Sequence, residues 1–140
     1  MTDRRGFSLI ELIVVVLIVS ILAAIAQPKL SGVLLKARAA DAYADMDVVR
    51  VAALAYQANN NLWPPEAAQG VVPTGLDEFL PANFNMAKSD FQLDFDNWCG
   101  SPFTVGVTLI TSDTNLGLTL LSILPAPKWN SGDKYSWVIE

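Results

Sequence analysis

An almost unbroken apolar run over residues 7–26, FSLIELIVVVLIVSILAAIA, constrains this chain more than any other feature. Wound as a helix at about 1.5 Å per residue, twenty residues span about 30 Å, the thickness of a bilayer's hydrocarbon core, so the run reads as a membrane span. Arg4 and Arg5 precede it and no comparable basic cluster follows. That asymmetry predicts a short cytoplasmic N-terminus and places the bulk of the chain on the outer side. Ala24 and Ala26 imitate the small-x-small site that ends a secretory signal, but the helical pattern runs on past them.

Glu11 is the informative exception within the run. An ionisable side chain one turn inside an apolar helix is costly, roughly 2.5–3.5 kcal/mol at a helix centre and less near an interface. Two readings are open: the carboxyl snorkels or stays protonated at the interface, or it pairs with a cation inside an assembly. A free amine produced nearby by proteolysis would be such a cation in a low-dielectric bundle.

The segment GFSLIELIVVVLIVSILAAIAQP resembles the signal and transmembrane segment of type IV pilins and of the pseudopilins of type II secretion. The resemblance implies that a prepilin peptidase cuts after Gly6 and methylates the new N-terminal residue, Phe7, so that the mature subunit begins there. It further implies that Glu11 is the assembly glutamate and that Pro28 bends the helix. Much of the family has a helix-loosening glycine where this chain has Ser20. The implied partners are other copies of the chain and related pilins or pseudopilins, the prepilin peptidase, an inner-membrane assembly platform and the lipid bilayer. The implied location is the bacterial inner membrane, single-pass, with the head in the periplasm until assembly into a filament.

Physical logic runs the same way. Gly6 gives a protease access to the backbone. The amine that cleavage would expose on Phe7, still basic after methylation, would pair with Glu11 of a neighbour and so fix the axial stagger of a filament. Small residues at Ser20, Ala23, Ala24 and Ala26 permit close helix approach in lipid.

Past the apolar run, Pro28 lacks the N–H that a helix interior needs and predicts a kink. Leu30, Leu34, Ala37, Asp41, Ala44, Val48, Val51, Ala55 and Ala58 then recur at spacings of four and three. They describe an amphipathic face with Asp41 as its one defect. Lys36, Asp45, Asp47 and Arg50 lie opposite as the solvated side. Asn59, Asn60 and Asn61, followed by LWPP, end a helix of about 80 Å.

The expected fold is α+β: a long kinked N-terminal helix packed against a small antiparallel sheet. Its parts are a leader (1–6), a transmembrane half (7–27), an amphipathic half (28–60) and a globular head (61–140). The head sequence predicts a loop over 64–75 and a short helical segment from Thr74, capped with Asp77, to Leu80. Phe91, Leu93 and Phe95 alternate with polar residues as one strand. Phe103, Val105, Val107 and Leu109 form a second, and Tyr135, Trp137 and Ile139 a last. Leu116, Leu120 and Leu124 share a helical face, with a cap at Asp113 or Thr114. Asn130 to Asp133 reads as a turn, and Trp98, Trp129 and Trp137 as core or rim packing.

No cofactor is fixed by the sequence. Asp90, Asp94, Asp96 and Asp113, with Asn97 and Asn115, offer oxygens for calcium, which needs 6–8 of them. The resemblance also implies calcium in C-terminal loops, as in major pseudopilins.

Asp and Glu total 14 against 9 Lys and Arg, a net charge of −5, which argues against nucleic acid as a partner. No histidine, phosphate-binding glycine loop or nucleophile elbow is present, so an enzyme is not expected. The single cysteine, Cys99, reads as a small buried hydrophobe and makes no internal disulfide. The expectation is a structural filament subunit. The alternatives are a minor or tip subunit acting as a binding module, and a single-pass anchor that never polymerises.

Overall fold

A computed structural model describes residues 7–98 and 105–140. The leader with Gly6, the lone Cys99 and Phe103 lie outside the described residues. Helix α1 (Leu9–Asn60) is followed by β1 (Gln92–Asn97), β2 (Val105–Ile110), α2 (Thr114–Ile123), β3 (Lys128–Ser131) and β4 (Lys134–Val138). The chain divides into two compact units, Met1–Leu34 and Leu35–Glu140.

In the first unit the apolar side chains from Phe7 to Leu34 are all exposed, and α1 is long and apolar enough to cross a membrane. Ser20 Oγ donates to the Val16 carbonyl at 2.7 Å, a back-bond that mildly destabilises and often bends helices. The helix runs through Pro28, which has no N–H to offer the carbonyl one turn earlier. Ser31 Oγ donates to the Pro28 carbonyl at 3.0 Å.

In the second unit the sheet has four antiparallel strands in the order β1-β2-β4-β3. Its apolar face follows from strand alternation: Leu93 faces Leu109, which faces Tyr135, and Phe95 faces Val107, which faces Trp137. All six share one core with Ala39, Ala42, Met46, Val49, Ala52 and Ala53 of α1. Each fully buried Leu, Val or Phe contributes roughly 1.5–3 kcal/mol relative to exposure.

The buried stripe of α1 is therefore Leu35, Ala39, Ala42, Met46, Val49, Ala53 and Tyr56, each two residues before a position of the expected stripe from Ala37 to Ala58 and so about 200° round the helix, nearly the opposite face. Leu34 and Val51 of the expected stripe are 55% and 52% exposed. The observed stripe repeats four and three without a charged defect. Its alanines let the helix backbone sit close to large rings: Tyr43 stacks on Trp137 with centroids 5.6 Å apart. Nor is the charged side simply solvated. Arg50 lies 4.7 Å over the Trp137 ring while paired with Asp47 at 2.7 Å, and Asp45 pairs with Lys88.

Helix α2 is capped as expected, with Asp113 accepting from the Asn115 and Leu116 amides. Two local expectations give way. Residues 74–79 form turns, not a helix, because Gly75 takes φ 82°, outside the helical region. Asn130 and Ser131 belong to β3, and the turn is the pair Gly132-Asp133. Gly132 has φ 61°, as a two-residue hairpin loop requires. The head's helical content among the described residues is thus α2 alone.

Candidate functional site

The helix start is built by Ser8 and Glu11. Ser8 N–H donates to Glu11 Oε2 at 2.9 Å and the Ser8 carbonyl accepts from Leu12 N–H at 3.2 Å. This is half of a capping box, in which an N3 glutamate reaches back to the cap residue. The carboxylate also sits where the helix dipole favours negative charge. Within a single chain Glu11 thus has a local partner that the sequence reading overlooked, although Ser-x-x-Glu was there to be read. Phe7 is 83% exposed, beside Ile10, Glu11, Val14 and Val15 along one shallow apolar groove.

The acidic residues of the head separate into two groups. Asp90 and Asp113 are drawn to Arg38, whose Nη2 and Nη1 lie 2.9 Å and 3.1 Å from their carboxylates. The Leu116 amide, aided by Arg38 and the Asn115 amide, holds the Asp113 carboxyl below its ordinary range. A depressed carboxyl stabilises the fold above its unfolded value, near about pH 4, and that stability is lost as pH falls through the folded value. Asp113→Asn keeps the capping oxygen and removes the charge. Its unfolding temperature is expected to fall less than the wild type's between pH 6 and pH 3, as circular dichroism melts would show.

Asp94 and Asp96 instead come together with Glu66, each offering an oxygen within 4.8 Å of the others. Alternation turns Asp94 away from the apolar face, in a row with Thr108 and Ser136. That face is nonetheless covered here: Asp94 is 5% exposed and Ser136 fully buried. Thr108 Oγ1 donates to Asp96 and lies 2.7 Å from Ser136 Oγ. Glu66 Oε2 accepts from Asn97 N–H at 2.6 Å, and Asn97 Nδ2 donates to the Pro64 carbonyl at 3.1 Å. Asp94 Oδ1 is buried without a hydrogen-bond partner among the described residues.

Burial, reinforced by the charges of Asp96 and Glu66 and opposed by Lys134, pushes Asp94 up to about 6. Burial also raises Asp96, against the pull of the Thr108 hydrogen bond and of Lys134. The carboxylates that gather are on β1 and the loop after α1, not in C-terminal loops. Asn97 contributes its backbone to this cluster, while Asn115 donates to Asp113 at 3.1 Å. Glu66 was invisible to sequence reasoning, since only the fold brings it to a strand that begins 26 residues later.

Residues 1–27 match the family model described as the prokaryotic N-terminal methylation motif. Over 76 residues the chain is 34% identical to the type IV major pilin protein PilE1 of Neisseria gonorrhoeae. That match covers 54% of this chain and 36% of the relative, so the chain spans about a third of the length of the protein it resembles. No solved structure gives a significant match.

Proposed function

We propose that this chain, a member of the type IV pilin-like family, is a structural subunit that polymerises through its N-terminal helix after prepilin peptidase processing. The observation that carries the reading is an apolar segment with no buried side chain from Phe7 to Ala26, whose one ionisable residue is Glu11, within a match to the N-terminal methylation motif. In lipid, Ser20, Ala23, Ala24 and Ala26 let such a helix pack closely against copies of itself. Cleavage after Gly6 frees the Phe7 amine, which competes with the Ser8 amide for a neighbour's Glu11 carboxylate. Charge pairing in a low-dielectric bundle then favours the intersubunit contact. Pro28 and the Ser20 back-bond supply the weak points at which the helix bends during packing. The topology is single-pass in the bacterial inner membrane, N-terminus cytoplasmic and head periplasmic, with lipid, peptidase and assembly platform as partners. The work is mechanical, and the similarity to a structural pilin supports a non-enzymatic role.

Between filament types, the similarity to a major pilin favours a type IV pilus-like filament. The disulfide loop that many pilins carry cannot form within these 140 residues, which hold a single cysteine, and this favours a type II secretion pseudopilin or a minor pilin as second reading.

The test is the mass of the N-terminal peptide from membranes of cells that carry the matching machinery. A peptide that starts at Phe7 and carries one added methyl is expected. A start at Met1 or Thr2 beside demonstrably active peptidase makes the chain an unprocessed anchor, and a start beyond Ala26 removes the filament reading.

A further inference from the structure

The cluster on β1 presents an unbalanced electrostatic account. Three carboxylates converge, and the hydrogen bonds described above satisfy one oxygen of Glu66 and one of Asp96. Asp94 Oδ1, on a side chain 5% exposed, receives none. A buried carboxylate oxygen with no donor bears the full cost of its lost hydration, and the like charges beside it raise that cost. The surrounding hydroxyls do not relieve it, since Thr108 gives its proton to Asp96.

A hard cation removes both penalties together. Calcium binds oxygens at about 2.3–2.6 Å, so oxygens on opposite sides of one ion lie about 4.6–5.2 Å apart. Oxygens of Glu66, Asp94 and Asp96 within 4.8 Å of one another fit that span. Magnesium dehydrates reluctantly and usually keeps several waters beside one or two carboxylates, so three converging carboxylates suit calcium better. Soft metals are not matched by an all-oxygen donor set. Glu66 is exposed, which leaves one side of the cluster open to water, and calcium accepts water in its remaining positions.

We propose that Glu66, Asp94 and Asp96 hold one calcium ion, which ties the loop after α1 to the first strand of the sheet. Glu66 already leans on the Asn97 amide, and the ion makes that contact part of a closed clamp. The site lies wholly within the unit Leu35–Glu140. It neither needs nor supports the filament reading, and the two fail separately.

The test uses the full chain in detergent micelles, stripped with chelator and melted by circular dichroism near neutral pH against calcium chloride. A saturable rise in unfolding temperature on the order of 5–10 °C is expected, because a ligand that binds only the folded state stabilises it by mass action. Magnesium chloride at equal concentration is expected to give a smaller rise. Asp94→Asn should melt no lower than wild type in chelator, since it removes a repelled charge, yet lose the calcium response. Glu66→Gln, on the exposed loop, should weaken calcium on the order of tenfold or more, as affinity follows ligand charge count. A wild type with no calcium response overturns the proposal and leaves a bound proton as the relief of Asp94. A response that survives in both Glu66→Gln and Asp94→Asn places the ion elsewhere and overturns it equally.

Discussion

Glu11→Gln is expected to leave the chain helical, membrane-inserted and cleaved at Phe7, yet to lower its yield in filaments on the order of a hundredfold. Within one chain Glu11 accepts the Ser8 amide at 2.9 Å, a contact that glutamine makes equally well, since the capping box takes either residue. Insertion into lipid is easier without the carboxylate. What glutamine lacks is the charge. If that charge pairs with a neighbour's N-terminal amine in a dry bundle, its removal strands the amine, and an uncompensated buried charge costs about 3–5 kcal/mol, or two to three decades of equilibrium. Sheared filament measured against total membrane-bound subunit gives the number. Normal filaments from Glu11→Gln would reduce Glu11 to a helix cap, and the intersubunit pair would be withdrawn.

Much of this architecture can be read without coordinates, and the errors share a cause. Strands β1 and β4 declare themselves because each places aromatic and aliphatic residues on alternate positions. Asp113 declares the start of α2 because its side chain caps two amides. The face of α1 was misjudged because Leu30, Leu34 and Val51 outweigh Ala39, Ala42 and Ala53 on any hydrophobic scale. Close approach to Tyr135 and Trp137 favours small residues, and a stripe of alanines reports contact distance rather than hydrophobicity. Strand β3 escaped because KWNS has one large apolar residue and lies at the sheet edge, where pairing on one side suffices. Asp94 misleads in the opposite sense. Alternation turns it away from the core, and only the fold shows the second face covered and Glu66 delivered to it.

The tightest contact in the head predicts the largest effect on stability. Gly117 lies on α2 where a Cβ would fall 2.0 Å and 2.1 Å from ring atoms of Tyr135. No carbon pair tolerates half the usual contact distance of about 3.5–4.0 Å, so the ring or the helix has to move. Neither has room: Tyr135 is 2% exposed and packs in the same core as Leu93, Leu109, Leu116 and Leu120. An ordinary helix-interior Gly→Ala gains about 1 kcal/mol of propensity. Here overpacking outweighs it, and Gly117→Ala is expected to cost about 3 kcal/mol, at the upper end for inserted methyl groups. Gly117→Val, bulkier and β-branched, is expected to leave the head unfolded. Denaturant melts of the full chain in micelles give the comparison, with Gly32→Ala as control because nothing lies within 4 Å of a Cβ there. A second change, Tyr135→Leu, removes the ring atoms that the new methyl meets, so the pair should be less costly than the sum of the single variants. Strict additivity would mean that the ring is not what Gly117 spares, and α2 would have to sit farther from β4 than 2.0 Å implies.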